Sequence, residues 1–448
     1  DLFTMTITTK AFFPCLSALF LLVNVAVWNI YKTEESSFEG TTTKIKIITN
    51  NSSSNNNSAS VVETLSSLNL RYYMYTMNII SHQDDMWPKT ITNETIMTSV
   101  VVPAEGHRPD IRIYFPFASH PLRTLNPDEA DLFLVPAPWA LLSGQQFKQA
   151  MKRLLLQPEF RSHANQHFVI SPKSFEFDKN IKNRYKRQFL DRHRDQLQNM
   201  TIVKDKDDAL IEQTRQQQNN ITNKNSSLSF EWGKQFDQYA HSYLDHVVSM
   251  GLQDFTVPYR PASWERFTNE QTIWLFFHPR QEAFSDGGKR SSLFRFALMN
   301  NTWPAHFSPT SIGHDLPPTE WRHDFWHSKF CLVVRGDDPA SRSLSRAIHA
   351  GCIPVIVSDY LPIFSPPLRR TLNLEDFSII IQEDDFLQHP VGSILDLQVL
   401  EESLLKEKIR QLQIAQQILC PDHPESLFVP AILKEVYEAS RQMKKKHG

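Results

Sequence analysis

The stretch from Phe330 to Asp359 constrains the fold of this chain more than any other part of the sequence. It begins with FCLVV, a short apolar run that contains β-branched residues and predicts a buried strand. The loop RGDDPAS follows, and SRSLSRAIHA then has the pattern of a helix that begins near Ser341 and ends at Gly351. IPVIVSD restarts the apolar run and stops at Ser358. The sequence therefore predicts a strand–loop–helix–strand unit.

Such a unit joins parallel strands through a right-handed crossover, and ligands of open α/β sheets bind beyond the carboxyl ends of the strands. The loops that begin at Arg335 and Ser358 are expected to meet at that edge. The N–H groups at the start of the helix, with Arg335 and Arg342 nearby, suit a diphosphate. The same pattern also fits an ordinary α/β crossover whose loop charges are solvated, because a βαβ unit does not by itself state a function.

Two segments of the chain carry a family resemblance. SKFCL, RGDDPAS and AIHAGCIPVIVSD, in this order and spacing, resemble the carboxyl-terminal signature of the exostosin family of glycosyltransferases. RTLNPDEADLFLVP, from Arg123 to Pro136, resembles the amino-terminal signature of the same family. Two ordered segments are more specific than one short motif. The resemblance covers roughly Tyr72 to Phe386, with a poorly matching middle.

The resemblance implies an α/β, GT-B-like fold in which two Rossmann-like domains face a cleft. It also implies transfer of a sugar from a nucleotide-sugar donor to a glycan or polysaccharide acceptor, as an inverting reaction. The donor would be a co-substrate bound mainly by the second domain, and no fixed metal or other cofactor is expected. A different hypothesis remains open, namely a catalytically inactive lumenal protein of the same fold that serves as a binding or complex-partner subunit.

The candidate residues for donor binding follow from the predicted strand and helix ends. Arg342 is the first candidate, because it lies in the first helical turn, where the helix dipole favours anions. Arg280 and Arg335 each end a predicted strand on the ligand side, although either suits a surface ion pair as well. Ser341 caps the helix, binds phosphate, or does both. Asp359 holds a hydroxyl of the donor or caps the next turn.

One residue departs from the family pattern. Members usually carry Asp or Glu two positions before Ile348, and the resemblance implies that this acid contacts the nucleotide sugar. This chain has Arg346 there. The arginine is expected to alter donor choice, to add a phosphate contact, or to mark reduced activity.

The sequence offers one candidate for the general base and two aspartates that could be considered as metal ligands. An inverting transfer needs a carboxylate or histidine at the cleft to accept the acceptor proton, and His120 is the candidate in the matching segment. Asp131 precedes a predicted strand and is expected to be structural. Asp337 and Asp338 in the RGDDP loop are interpreted as turn-forming residues rather than metal ligands.

Composition limits the compartment and the partners. The formal net charge of −2 gives no support for binding nucleic acid. Four cysteines are too few for a disulfide scaffold, and their spacing does not resemble a zinc site. Cys331 and Cys352 start adjacent predicted strands, where buried free thiols are expected and a disulfide is the alternative. The pairing state of Cys420 is left open.

The amino-terminal region suggests a membrane anchor. Residues 11–31 form an uncharged segment about long enough to span a bilayer, with residues 1–10 as a cytosolic tail and a cleaved signal peptide as the competing interpretation. Residues 32–67 are rich in Ser, Thr and Asn and predict a disordered stem. Together with Asn-x-Ser/Thr sequons, these features predict a single-pass type II Golgi membrane protein with a lumenal catalytic domain.

The remaining domain boundaries follow from the alternation of strand and helix patterns. An N-terminal Rossmann-like domain is expected over 68–254, with a charged and Gln/Asn-rich insertion at about 173–229. The C-terminal nucleotide-sugar-binding domain is expected over 255–394. Residues 395–448 have amphipathic spacing and predict C-terminal helices that pack across a domain.

Overall fold

The protein is described here as a computed structural model. The residues that the structure describes are 55–75, 113–136, 144–171, 192–193, 200–204, 247–252, 255, 257–277, 297, 318–335 and 340–447. The predicted tail and anchor at 1–31 lie outside these residues, as do Arg280 and most of the expected insertion at 173–229. Within the described part of the chain, no helix is long and apolar enough to span a bilayer.

Six parallel strands form the N-terminal sheet, in the order β2-β1-β3-β4-β5-β6. They are β1 (Tyr72–Met74), β2 (Arg123–Thr124), β3 (Leu132–Leu134), β4 (His167–Ser171), β5 (Thr201–Lys204) and β6 (Val247–Ser249). Alternation along the strands divides the core between the two faces of the sheet. Phe133, Val169 and Ile202 pack on one face, while Leu134 and Phe168 belong to the larger core on the other face.

Two longer and two short helices lie around this sheet. They are α1 (Asn55–Ser66), α2 (Phe115–Ala118), α3 (Gly144–Leu156) and α4 (Pro158–His163). Met151 and Leu154 of α3 and Phe160 of α4 pack against the face that carries Phe133 and Ile202. This face is therefore covered by helices that immediately follow β3 in the chain.

The helix α1 corrects the prediction of a disordered stem that continues to about residue 67. Its composition is polar, but Val61, Val62 and Leu65 are spaced so that they lie on one side of a helix. Leu65 is buried in the main core, and Val61, Val62 and Leu68 pack against that core. Tertiary packing of these few apolar residues stabilises a helix that the composition alone does not favour.

Four parallel strands form the C-terminal sheet, in the order β10-β9-β8-β7. They are β7 (Ile273–Phe276), β8 (Ser328–Val334), β9 (Ile353–Val357) and β10 (Ile379–Ile381). The helices that follow α4 in the chain are α5 (Pro318–Trp326), α6 (Arg342–Ala350), α7 (Leu361–Phe364), α8 (Leu374–Phe377), α9 (Glu383–Gln388), α10 (Pro390–Leu395), α11 (Glu402–Leu419) and α12 (Phe428–His447).

The predicted strand–loop–helix–strand unit is confirmed as β8, α6 and β9. The two strands are parallel neighbours, with Phe330 opposite Ile353 and Val334 opposite Val357. Gly351 ends α6 in the left-handed conformation, at φ +70°. A Cβ at this position would lie 2.9 Å from the backbone nitrogen of Ala262, so both conformation and close approach require glycine.

The expectation of free thiols at Cys331 and Cys352 is wrong, because these residues form a disulfide with Cα atoms 5.9 Å apart. Cys331 lies on β8 opposite Pro354, and Cys352 immediately precedes β9. The strand register therefore brings the two side chains together. Cys420 is a free, fully buried cysteine.

The C-terminal helices connect the two sheets. Helix α11 packs on α6 and α8, whereas α12 returns to the N-terminal sheet and packs on β5, β6 and α2. Phe428 of α12 contacts the ring of Phe117 at a centroid distance of 6.3 Å. At the end of β6, the carbonyl of Ser249 accepts a hydrogen bond from the N–H of Leu368 at 2.9 Å. The α/β class and the two parallel sheets are confirmed, and they are consistent with a GT-B-like fold.

Candidate functional site

The carboxyl edge of the C-terminal sheet carries most of the predicted donor-binding residues. Arg335 directly follows β8, Asp359 lies two residues beyond β9, and Glu383 lies two residues beyond β10. Apart from Ser328 at the start of β8, the buried residues of these strands are apolar, so the polar residues of this edge begin where the strands end. In open α/β sheets this is the edge at which ligands bind.

Arg335 forms a buried ion pair that the sequence did not predict. Its Nε donates to Oε1 of Glu383 at 2.6 Å, and its second terminal nitrogen donates to Oε2 at 3.1 Å. The Arg335 side chain is 7% exposed and that of Glu383 is fully buried. The guanidinium also lies 4.7 Å from the centre of the Tyr360 ring. The Glu383 carboxylate neutralises Arg335, so this arginine is positioned to hold the strand ends rather than to supply excess positive charge.

Asp359 completes this network by a reciprocal contact with the start of α9. Its N–H donates to Oε1 of Glu383 at 3.1 Å, and its Oδ1 accepts the N–H of Glu383 at 3.0 Å. Asp359 thus caps the start of α9, while the turn that directly follows it is capped by the hydroxyl of Ser358, which accepts the N–H groups of Tyr360 and Leu361. The ends of β8, β9 and β10 are thereby joined through three side chains, defined here as the Arg335–Asp359–Glu383 network.

Glu383 is the member of this network that sequence reasoning missed. It stands immediately after the run SIIIQ, at the carboxyl end of a buried apolar strand. An acidic residue at that position of a parallel sheet is the signal that predicts a residue at the ligand edge. Its partner, however, is 48 positions away in the sequence, so the pairing itself is not readable from local pattern.

The start of α6 lies just beyond β8, at the same edge of the sheet. Ser341 is at the N-cap position with extended backbone angles, and its side chain makes no capping hydrogen bond. Arg342 is the first helical residue and is half-buried. The amino-terminal N–H groups of a helix and its dipole attract anions. With Arg342 adjacent, this helix start has the charge and donors that a diphosphate requires.

Arg346 lies one turn further along α6 and is buried, with 6% of its surface exposed. Its guanidinium carbon is 4.5 Å from the centre of the Trp321 ring on α5. Stacking on an aromatic face is a favourable environment for arginine. Because residues four apart share a helix face, Arg342 and Arg346 lie on the same face of α6.

His120 does not fit the role of general base in the conformation observed. Its Nδ1 accepts the backbone N–H of Leu122 at 3.2 Å, so the neutral ring carries its proton on Nε2 and can only donate there. Burial lowers the pKa of His120, which keeps the ring neutral at physiological pH. The turn from His120 to Arg123 precedes β2. It therefore lies beside the amino ends of the strands, opposite the usual ligand edge.

Three further residues considered from the sequence lie outside the described residues. Arg280 follows the described end of β7 by four positions, and Asp337 and Asp338 lie in the loop between β8 and Ser341. The candidate site therefore consists of the Arg335–Asp359–Glu383 network and the start of α6. The network fixes three strand ends, and the helix start supplies positive potential. Together they are suited to bind an anionic group and to stabilise negative charge that develops on it.

Comparison with known proteins identifies related sequences. Residues 105–396 match the model of the exostosin GT47 domain. A probable beta-1,4-xylosyltransferase of Arabidopsis thaliana is 24% identical over 288 residues, which are 60% of this chain and 59% of the relative. A probable arabinosyltransferase of the same plant is 25% identical over 178 residues, or 39% of this chain and 38% of the relative. An exostosin-1 homolog of Caenorhabditis elegans is 28% identical over 93 residues, or 20% of this chain and 24% of the relative. The chain thus spans less than two thirds of the length of these relatives.

Proposed function

The chain belongs to the exostosin GT47 family, and from this premise we propose that it is a glycosyltransferase that moves a sugar from a nucleotide-sugar donor to a glycan or polysaccharide acceptor with inversion. The observation that supports this proposal most is the start of α6 at the carboxyl edge of the C-terminal sheet. Ser341 makes no capping bond there, and Arg342 is the first residue of the helix. Both residues lie within the segment that matches the family.

The proposed chemistry is a displacement at the anomeric carbon of the donor sugar. The acceptor hydroxyl forms the new bond to that carbon while the bond to the diphosphate oxygen breaks, and the acceptor proton passes to a carboxylate or histidine of the protein. Arg342 and the N–H groups of α6 stabilise the negative charge that gathers on the leaving diphosphate. We propose that these groups serve in place of a fixed metal ion.

The Arg335–Asp359–Glu383 network has a supporting role in this proposal. A binding site is effective when its groups are held by packing and hydrogen bonds before the ligand arrives. Glu383 fixes Arg335 with two hydrogen bonds and fixes Asp359 with two more. These contacts hold the strand ends against which the donor would lie.

The donor sugar is a separate question, because the names of the relatives differ in their sugars. One is named a probable xylosyltransferase, another a probable arabinosyltransferase and another a probable xyloglucan galactosyltransferase. We therefore propose a hexosyl- or pentosyltransferase activity. A panel of nucleotide sugars, tested with the purified chain by donor hydrolysis and by thermal shift, should identify one donor that is hydrolysed and that raises the melting temperature. If no nucleotide diphosphate or nucleotide sugar binds, the enzyme proposal is wrong.

A second candidate function is a catalytically inactive subunit of the same fold, which binds a glycan or a partner glycosyltransferase. The residue that favours it is Arg346, which stands where family members usually carry an acid and is stacked on Trp321. Donor hydrolysis by one variant distinguishes the two candidate functions. Arg346→Glu should raise donor hydrolysis if the missing acid limits activity, and it should leave hydrolysis at the background level if the site has lost other required groups.

We also propose that the protein is a single-pass type II protein of the Golgi membrane with its carboxyl terminus in the lumen. The disulfide between Cys331 and Cys352 supports an oxidising compartment, and the apolar segment at 11–31 supports an anchor. Protease treatment of intact microsomes tests this topology. The carboxyl terminus should be protected until detergent is added, and digestion without detergent would contradict the proposal.

A further inference from the structure

Three side chains of different chemistry converge at the carboxyl-terminal end of α6, away from the start of that helix. They are His349 of α6, Cys420 at the end of α11, and Asp422 in the turn that follows. One imidazole nitrogen, the thiol sulfur and one carboxylate oxygen all lie within 4.8 Å of one another. His349 and Cys420 are buried, whereas the Asp422 side chain is 51% exposed and opens the group to solvent.

The histidine is oriented as a metal ligand would be. Its Nδ1 lies 2.8 Å from the carbonyl oxygen of Ser345 and donates a hydrogen bond to it. In the neutral ring the lone pair is then on Nε2, which lies 3.8 Å from Oδ1 of Asp422. Metal-binding histidines commonly donate their other ring N–H to a backbone carbonyl, because this fixes the tautomer and the ring orientation.

The other two side chains are also held in place. Oδ2 of Asp422 accepts the N–H of Tyr259 at 2.9 Å, so the second oxygen, Oδ1, is the one directed to His349. The N–H of Cys420 donates to the carbonyl of Gln416 at 2.9 Å, which continues the helical bonding of α11 up to the cysteine. The group therefore has supporting hydrogen bonds on each of its three members.

We propose that His349, Cys420 and Asp422 bind a zinc-class divalent cation, with water as the fourth ligand. Thiolate, imidazole and carboxylate are the ligand types that Zn²⁺ accepts, and a thiolate disfavours Mg²⁺ and Ca²⁺. Ligand atoms of a tetrahedral zinc ion are roughly 3.3–3.7 Å apart. Nε2 of His349 and Oδ1 of Asp422 are already 3.8 Å apart, and with all separations within 4.8 Å the group has to close by at most about 1.5 Å. Binding would convert the Cys420 thiol to thiolate and release its proton to solvent.

The role of this ion would be structural and independent of sugar transfer. The three ligands belong to the end of α6 and to the turn between α11 and α12. The segment before β7 joins them, because Tyr259 binds Asp422 and the N–H of Arg260 donates to the carbonyl of His349 at 2.8 Å. A bound cation would cross-link these segments at the carboxyl-terminal end of α6, which is the end opposite Ser341.

The competing explanation is that His349 and Asp422 are an ordinary ion pair beside a buried cysteine. The two explanations differ in what the purified chain does after its metals are removed with a chelator, Zn²⁺ is added back, and the excess is dialysed away. With a bound ion, one equivalent of Zn²⁺ should be retained, and Co²⁺ in its place should show a thiolate-to-cobalt charge-transfer band together with the visible bands of a tetrahedral ion. An ion pair alone gives neither result.

Two ligand variants and one control test whether the ion is bound by His349, Cys420 and Asp422. Asp422→Asn is the main test, because the side chain is exposed and the amide oxygen can still accept the N–H of Tyr259. This variant should lower the affinity for Zn²⁺ at least about a hundredfold, since loss of a residue that only supports a metal ligand already lowers the metal affinity about 10–100-fold. Cys420→Ala should remove the charge-transfer band. His423→Gln is the matched control, because His423 is a neighbour whose Nδ1 accepts the N–H of Glu425 at 3.0 Å and which is outside the group.

The outcomes are decisive in both directions. Retention of about one equivalent by the unmodified chain and by His423→Gln, with loss in Asp422→Asn, supports the site. Absence of stoichiometric metal in the unmodified chain overturns it, and so does equal affinity in Asp422→Asn. If Cys420→Ala does not fold, the exposed Asp422→Asn variant still gives the answer.

Discussion

The two sheets differ in the kind of polar group that they bury. At the carboxyl edge of the C-terminal sheet, Arg335 and Glu383 form a buried ion pair. In the described part of the N-terminal sheet, the main buried polar cluster is neutral and aromatic. The ring of His167, at the start of β4, stacks on Phe133 at a centroid distance of 4.6 Å, and its Nε2 accepts the hydroxyl of Tyr75 at 2.8 Å.

This difference separates a positioning role from a packing role. A buried ion pair is weak support for stability, because removing two charges from water costs about as much as their attraction returns. Such a pair at a ligand edge is best explained by the geometry that it imposes on the strand ends. The His167 cluster lies beside the amino end of β4, where an aromatic histidine with both nitrogens bonded fills the core. The C-terminal sheet thus carries the candidate site, whereas the N-terminal cluster packs the core of its own sheet.

The largest expected effect is at Glu383. Glu383→Gln should lower the free energy of unfolding by about 3–5 kcal/mol, because it leaves Arg335 as a buried charge without its counter-ion. Denaturant unfolding followed by intrinsic fluorescence measures this change. The control is Glu402→Gln, which removes an exposed pair with Lys406 and should cost only about 0.3–0.5 kcal/mol. Equal effects in the two variants would contradict the contrast between the sheets.

The disulfide offers a second way to test the contrast. The double variant Cys331→Ala with Cys352→Ala should lose about 3 kcal/mol, because the bond closes a loop between residues 21 positions apart. Hydrogen exchange should show that amides of β8 and β9 lose more protection than those of β4 and β5. A reducing agent should lower the stability of the unmodified chain and leave the double variant unchanged. Uniform loss of protection in both sheets would mean that the two respond as one cooperative unit.

The parts of this molecule that could be predicted from sequence are those that depend on neighbouring residues. The unit of β8, α6 and β9 was predicted correctly because its apolar runs and Gly351 are contiguous. The roles given to Arg335 and to the cysteines were affected by partners far away in the chain. The position of Arg335 at a strand end suits phosphate, but its buried partner Glu383 is 48 positions away, and the disulfide depends on strand register. Similarly, the polar composition around α1 concealed the packing of Leu65.

A smaller effect is expected at Arg342, which tests whether the positive groups of the C-terminal edge act on a donor. A charge-assisted contact to a diphosphate contributes about 1.5–3 kcal/mol. Arg342→Ala should therefore weaken donor use about tenfold to a hundredfold, since about 1.4 kcal/mol corresponds to one decade. The melting temperature should change little. Donor kinetics measure the effect once the donor is known.

The matched control for Arg342 is Arg369→Ala. Arg369 is exposed and lies in the loop after α7. Its guanidinium donates a hydrogen bond to the carbonyl of Ile363 at 3.0 Å. It should change donor kinetics much less than Arg342→Ala. Unchanged kinetics in Arg342→Ala would remove this residue from the site and leave the βαβ unit as a scaffold.

The smallest expected effect concerns the neutral cluster of the N-terminal sheet and its response to pH. Burial lowers the pKa of His167 to about 3, whereas an unfolded histidine has a pKa of about 6.5. The unfolded chain therefore binds the proton more readily, and stability is lost as pH falls below about 6.5. Between pH 7.5 and 5.5 this histidine should account for a loss of about 1.4 kcal/mol in the free energy of unfolding.

His167→Gln keeps a hydrogen-bonding end but does not titrate, so its free energy of unfolding should fall by about 1.4 kcal/mol less over that range. If His167→Gln has the same pH dependence as the unmodified chain, the proton does not distinguish the folded from the unfolded state at His167, and the cluster is not the neutral counterpart of the charged C-terminal edge.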